Sequence, residues 1–284
     1  MKLTQTRPAL LIRHFLRTVE IDGLGGTVAQ AWRRVSHSLG SHGLRSTLAR
    51  AVRSAPASPG IAAPAPPEAP HPFDLLHATD TAGCYPAAVL PPTSLSALLI
   101  TGYIGIGPSA LVQAIAALPL RPGDFSFVDL GCGKGRAVLI AAQFPFRRIL
   151  GVELDPEFCR IARANLALKP DWAARISVLQ QDAASAIYPD GPLLVFLFHP
   201  FFPRILRRVL ANLERQLRRS PREAWLLYAN NPRYTRVLRR FPFLREVSET
   251  RYTLTPEDAA VNYFEIPYER FTLYSVDLTH FARP

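Results

Sequence analysis

The segment FVDLGCGKGR, residues 127–136, joins an apolar run to glycines at every second position and then to a helix-forming stretch. Glycine at 131, 133 and 135 lets the chain turn tightly and approach a ligand with no Cβ in the way. Open backbone N–H groups at the start of the following helix favour electronegative ligand atoms. A strand–turn–helix unit whose turn faces a small molecule is expected here.

The spacing separates the candidate ligands. A dinucleotide fingerprint, G-x-G-x-x-G, needs glycine at its sixth position, where this chain has Arg136. The P-loop order G-x-x-x-x-G-K-[ST] is absent around Lys134. Asp129 stands two residues before the first glycine, where a negative charge repels a pyrophosphate but can hold an ammonium group. One strand–helix–strand unit later, GVELDP (151–156) sets Glu153 near the ~20-residue distance at which an acid meets a ribose. A third strand runs into QQDA (180–183), where Asp182 is placed to accept a hydrogen bond from an adenine amino group. The loop suits S-adenosylmethionine better than NAD.

Periodicity supplies the surrounding fold. Helical patterns at 111–118, 137–144, 156–168 and 204–218 alternate with apolar runs at 125–130, 149–153, 176–180, 193–198 and 224–228. Alternating elements with apolar strands imply a parallel sheet covered on both faces. Longer strand-like stretches at 244–254 and 263–278 follow, with no helix of normal length between them, and suggest an antiparallel hairpin closing the sheet. The expected fold is therefore α/β: a Rossmann-like, doubly wound, mostly parallel seven-stranded sheet with a C-terminal hairpin.

Residues 1–53 are a different compositional zone, rich in arginine, with Glu20 and Asp22 as the only acids. Apolar residues at helical spacing, such as Val28, Trp32, Val35 and Leu39, predict short basic amphipathic helices. A peripheral extension, an arm for a membrane surface or nucleic acid, and an organellar transit peptide all share this composition. Residues 54–72 form a Pro/Ala linker that favours extended polyproline II, which puts the methionine-binding candidate region in a domain of residues 73–284. The net charge of +11 points to acidic partners, although an arginine-, alanine- and proline-rich composition also arises without selection for binding. No apolar run approaches the ~20 residues needed to span a bilayer. Cys84, Cys132 and Cys159 lack zinc-site spacing, so a reducing, cytoplasmic setting without a structural metal is expected.

Taken in order on successive strand ends, VDLGCGKGR, GVELDP and QDA resemble motifs of the class I, Rossmann-like methyltransferases. The resemblance covers about residues 125–182 and implies S-adenosylmethionine as cofactor, held by Asp129, Gly131, Gly133, Gly135, Glu153, Asp182 and Ala183. Residues 125–165 are further similar to bacterial methyltransferase-domain proteins related, in their cofactor half, to the non-SET histone-lysine methyltransferases. FDLLHATDTAGCY (73–85) and the stretch 102–109 look like that group's lead-in, which implies Tyr103, Pro108 and Ser109 over the cofactor.

The fourth strand ends in FHPFF (198–202). Amino-group methyltransferases carry Asn or Asp, two prolines and an aromatic at this place, so the resemblance gives His199, Pro200 and Phe202 the catalytic positions. Imidazole is a different acceptor from a side-chain amide. Two roles stay open to His199: general base near neutral pH, or a strand-end histidine bonded to backbone. Asn230, Asn231, Tyr252 and Tyr263 are rim positions that turn chemistry or hairpin packing explains equally well. The expected activity is methyl transfer to a nucleophile, nitrogen before oxygen, of a protein or small molecule. The competing readings are an RNA or DNA methyltransferase and a cofactor-binding module without turnover.

Overall fold

The computed structural model describes residues 71–86, 102–229, 234–262 and 266–281, all within one compact unit, Pro66–Pro284. The expected basic extension (1–53), most of the expected linker, and Asn230, Asn231 and Tyr263 lie outside the described residues.

The chain enters through a short helix, α1 (Pro72–His77), whose first turn is capped by His71 Nδ1 accepting from the Phe73 N–H at 3.1 Å. His71 and Pro72, read above as linker, are thus the cap and first residue of a helix, because proline suits a first helical position as well as an extended chain. Two short strands, β1 (Cys84–Pro86) and β2 (Gly102–Ile104), pair antiparallel in a sheet of their own. Helix α2 (Pro108–Ala116) leads into the main sheet.

That sheet holds β3 (Ser126–Leu130), β4 (Arg148–Glu153), β5 (Ile176–Gln180), β6 (Leu193–Leu197), β7 (Ala224–Ala229), β8 (Leu244–Thr253) and β9 (Tyr268–Val276). Its spatial order is β5-β4-β3-β6-β7-β9-β8, parallel up to β7 and antiparallel beyond it. The mostly parallel, seven-stranded α/β layout and closing hairpin match the expectation. The strand order reverses between β3 and β6, and crevices at the carboxyl ends of strands flanking such a reversal are where open α/β sheets bind ligands.

Burial follows the hydrophobic pattern. All five residues of β3 and of β6 are buried, as strands covered on both faces must be. Helix α3 (Arg136–Ala141) is buried along its whole length, packed on β3, β4 and helix α2. Helix α4 (Pro156–Ala167) starts at Asp155, whose carboxylate accepts from the Glu157 and Phe158 N–H groups at 2.8 and 3.0 Å. Helix α5 (Pro203–Arg219) buries Ile205, Val209, Leu213 and Leu217 while Arg204, Arg207, Arg215 and Arg218 lie on the other side.

The edges depart from the pattern. Strand β5 buries only Val178, since among the described residues no strand pairs beyond it. Strand β9 begins at Tyr268, later than expected, and inserts between β7 and β8. The outer strand β8 is mostly exposed, and its Arg245, Glu246, Glu249 and Arg251 blunt an edge that would otherwise invite pairing. Short helices α6 (Thr235–Leu238) and α7 (Pro256–Ala260) complete the unit. Among the described residues no helix is long and apolar enough to cross a membrane.

Candidate cofactor site

Gly131, Gly133 and Gly135 adopt φ of +84°, +52° and +89°, a region that side-chain-bearing residues rarely enter. Space is equally restrictive. A Cβ on Gly133 would sit 2.2 Å from Cε2 of Tyr103, and one on Gly131 would sit 2.7 Å from Cβ of Pro200. The turn is thus bounded by β2 on one side and by the loop after β6 on the other. Between them opens a cleft of about 560 Å³, lined by Tyr103, the glycine turn, Glu153 to Asp155, Phe158, Gln181 to Ala183, Pro200 and Phe201.

Glu153 ends β4 with its carboxylate buried. Oε2 accepts from the Gly133 N–H at 2.8 Å, and Oε1 accepts from the N–H groups of Leu154 and Asp155 at 2.6 and 2.8 Å. Burial pushes its pKa up, and the three backbone donors pull it back. Asp129 is also buried; desolvation, with the neighbouring Glu153 charge, raises its pKa to about 8. Its carboxyl accepts no hydrogen bond among the described residues, and it is not among the residues that line the cleft.

Asp182 lines the cleft and caps the short turn after β5 by accepting from the Ala184 N–H at 2.9 Å, with the Arg208 guanidinium 4.0 Å away. Ala183 is buried against the cleft. All but two of the expected cofactor residues therefore line one cleft: Asp129 is not among its lining residues, and Gly135 packs on Ala162 of α4, 3.3 Å from its would-be Cβ.

The fourth-strand residues divide. Pro200 faces the cleft. His199 takes φ +35°, and its ring bonds the Ala229 backbone while burial lowers its pKa to about 4. The imidazole is therefore neutral at physiological pH. Phe202 points into the protein, its ring 6.5 Å from Tyr234, and Phe201 supplies the aromatic wall instead. The motif comparison assigned the second phenylalanine; the left-handed turn at His199 presents the first. Tyr252 packs edge-on against Phe271 within the hairpin.

Sequence reasoning missed how the lead-in closes this site. Tyr103, as expected, lies at the cleft, with its hydroxyl donating to the Thr81 carbonyl at 2.6 Å. Pro108 and Ser109 do not: Ser109 bonds Asp258 and Thr255, on the far part of the chain. Residues of the glycine turn itself hold the lead-in down. Lys134 Nζ meets Asp80 at 2.7 Å and the Ala82 carbonyl at 2.8 Å. Arg136 Nε donates to Thr81 Oγ1 at 2.8 Å, and Asn165 of α4 exchanges hydrogen bonds with the Asp80 backbone. Asp74 then gathers Thr79 and Thr81 around one carboxylate oxygen. Arg136, read above only as a departure from the dinucleotide fingerprint, is a buried anchor.

Comparison with known proteins agrees with this geometry. Residues 127–220, about a third of the chain, match the family described as a methyltransferase domain. Over 57 residues the chain is 46% identical to the tRNA1(Val) (adenine(37)-N6)-methyltransferase of Yersinia pestis (strain Pestoides F), a stretch covering 19% of this chain. The chain spans about a quarter of the length of the curated relatives it matches, 23% for that protein. Among solved structures, a SAM-dependent methyltransferase from Aquifex aeolicus aligns with TM-score 0.42 and 13% identity, covering 59% of this chain and 89% of that one. Magnesium protoporphyrin IX methyltransferase from Synechocystis PCC 6803, solved with bound SAM, aligns with TM-score 0.40 and 13% identity over 60% and 76%. The seven-stranded sheet and its left-handed glycine turn thus occur together with the stretch, 127–220, that is similar to the methyltransferase-domain family.

Proposed function

We propose that the chain transfers a methyl group from S-adenosylmethionine to a nucleophilic atom, nitrogen before oxygen, of a protein or small molecule. One observation carries this: the cleft framed by the left-handed glycine turn, Glu153, the 181–183 turn and the Pro200–Phe201 wall. Its residues fit the cofactor. Glu153 Oε2 takes a single backbone N–H, leaving a lone pair for a ribose hydroxyl. The Ala183 N–H has no acceptor among the described residues and suits an adenine ring nitrogen. Asp129, buried without a hydrogen bond, suits an ammonium group, directly or through water.

When bound, S-adenosylmethionine supplies a methyl group already activated on a sulfonium. What remains for the protein is to orient and to exclude water. Pro200, Phe201 and Tyr103 form apolar walls for that purpose. His199, neutral and bonded to Ala229, acts as a positioning residue that fixes the turn presenting Pro200 and Phe201, with Phe202 anchoring the same turn in the core.

We also infer that the catalytic domain takes in His71 and Pro72, the cap and first residue of α1, and that the three free thiols work in the cytoplasm. The sequence likeness over 73–85, 102–109 and 125–165 is what kinship with the bacterial methyltransferase-domain proteins related to non-SET histone-lysine methyltransferases rests on. A second reading, an RNA acceptor, is favoured by the arginine-lined outer side of α5 and by the tRNA methyltransferases that share a short stretch of sequence.

The test is incubation with labelled S-adenosylmethionine and cell lysate, fractionated into protein, RNA and small molecules. Label in protein or small molecules is expected. Label in RNA alone would transfer the assignment to the second reading. S-adenosylhomocysteine binding with no label in any fraction would leave a binding module without turnover.

A further inference from the structure

A second cleft, of about 440 Å³, shares β2 with the first: Gly102 and Tyr103 line the cofactor cleft, Ile104 and the following Gly105 line the other. Its wall combines His71, Ala82, Arg136, Asp258, Val261 and Glu269. Two charged side chains there are more than nine-tenths buried yet incompletely bonded. Glu269 Oε1 accepts from the Gly107 N–H at 2.8 Å, while Oε2 has no hydrogen-bond partner among the described residues. Arg136 spends Nε on Thr81 and Nη1 on the Ile106 carbonyl, while Nη2 has no hydrogen-bond partner and only an ion-pair contact of 3.9 Å with Asp74. Buried polar atoms left open are costly unless something completes them.

The backbone is shaped around these two groups. A Cβ on Gly105 would lie 2.5 Å from the Arg136 guanidinium carbon, and one on Gly107 would lie 2.4 Å from Leu254 Cδ2 and 3.1 Å from Glu269 Oε1. Neither glycine needs a left-handed φ, so their role is space. Charge then selects the occupant. The Arg136 charge is already met by Asp74, and Asp258 and Glu269 add two carboxyls to the wall, so an anion is disfavoured. A cation would have to sit beside the guanidinium. Glu269 Oε1 takes a backbone N–H, and burial, which raises the pKa of this carboxyl to about 8, leaves the proton on Oε2, so a neutral group with a carbonyl oxygen satisfies both open atoms.

We propose that this cleft binds a small molecule through a neutral amide-type group, its carbonyl oxygen accepting from Arg136 Nη2 and from the carboxyl O–H at Glu269 Oε2. Ile104, Val261 and Ala82 give the body behind that group an apolar side, with the polar His71, Asp258 and Asn262 also on the wall. The site is independent of what fills the cofactor cleft.

Three probes of nearly equal shape separate the chemistries: benzamide, benzoate and benzylamine, titrated onto the full chain by ligand-observed NMR. Benzamide is expected to bind and the two charged probes to bind at least about tenfold more weakly, the scale of one lost hydrogen bond. Glu269→Leu keeps a similar side-chain volume but removes the hydrogen-bonding oxygens, and Val261→Phe fills the cleft from a partly exposed position. Each is expected to weaken benzamide by about tenfold or more while leaving S-adenosylhomocysteine affinity unchanged. No benzamide binding, equal binding of a charged probe, or wild-type benzamide affinity in either variant would overturn the assignment. Failure of S-adenosylhomocysteine to bind the wild type would instead count against the proposed function alone.

Discussion

The Gly133 N–H donates to Glu153 Oε2 at 2.8 Å, so the glycine turn after β3 and the acid ending β4 are one bonded unit before any ligand arrives. The contact fixes the carboxylate that we assign to the ribose, and it does so with a backbone donor that no side-chain substitution can replace. Glu153→Ala is expected to weaken S-adenosylhomocysteine by about 1–3 kcal/mol, the range for a lost hydrogen bond to a charged group. It should also lower thermal stability, because the N–H groups of Gly133, Leu154 and Asp155 lose their acceptor. Calorimetric titration and a melting curve read the two effects; undiminished affinity would remove Glu153 from the site.

Gly133→Val tests the other half of that contact. Valine is β-branched and disfavours φ of +52°, and its Cβ would start 2.2 Å from the Tyr103 ring. Tyr103 is held by Thr81, so it cannot swing away without opening the lead-in. Loss of measurable S-adenosylhomocysteine binding is expected, together with faster proteolysis around residues 73–86. Binding at wild-type strength would mean that the cofactor lies elsewhere.

The central sheet and the cofactor turn were legible because both are written locally. Apolar runs and helical periods mark β3, β4, β6 and α5, and the spacing of Gly131, Gly133 and Gly135 carries its own conformational demand. What escaped depends on contacts far apart in sequence. Nothing near Arg136 signals that its partners are Thr81 and Asp74, more than fifty residues earlier. Likewise, Pro108 and Ser109 follow Tyr103 closely, yet the chain turns at Gly107 toward Glu269 and Asp258. The choice between Phe201 and Phe202 rests on the φ of His199, a non-glycine residue whose left-handed turn the sequence does not announce.

His199 makes acid stability a sensitive probe of that turn. Its pKa falls from 6.5 unfolded to about 4 folded through burial, so between those values the unfolded chain binds more protons. The stabilisation is complete above about pH 6.5 and is lost as pH falls toward 4. His71, lowered to about 4 chiefly by burial and then by Arg136, adds to the same trend. Asp129 and Glu269, each raised to about 8, act oppositely, favouring the folded state at low pH and losing that advantage as pH rises through 8. A His199→Asn difference measurement isolates the first group. The gap in melting temperature between wild type and variant is expected to shrink from pH 7 to pH 5. A gap that stays constant would mean that His199 is not held neutral in the fold.

Phe201 and Phe202 are adjacent and both buried, and the structure separates their roles by what each truncation would leave behind. Phe202 packs against Tyr234 on the protein side, so Phe202→Ala opens an enclosed cavity and should cost about 3–5 kcal/mol in urea unfolding. The Phe201 ring faces the cofactor cleft, so Phe201→Ala widens a space that already exists and should cost less stability. Its loss should appear in ligand affinity instead, because the cleft loses an apolar wall between Pro200 and Ile205. The expected outcome is a crossed pattern: Phe201→Ala weakens S-adenosylhomocysteine more than Phe202→Ala, and Phe202→Ala lowers the urea midpoint more than Phe201→Ala. A reversed pattern would restore the second phenylalanine to the ligand side and show that the turn at His199 runs differently from the geometry described.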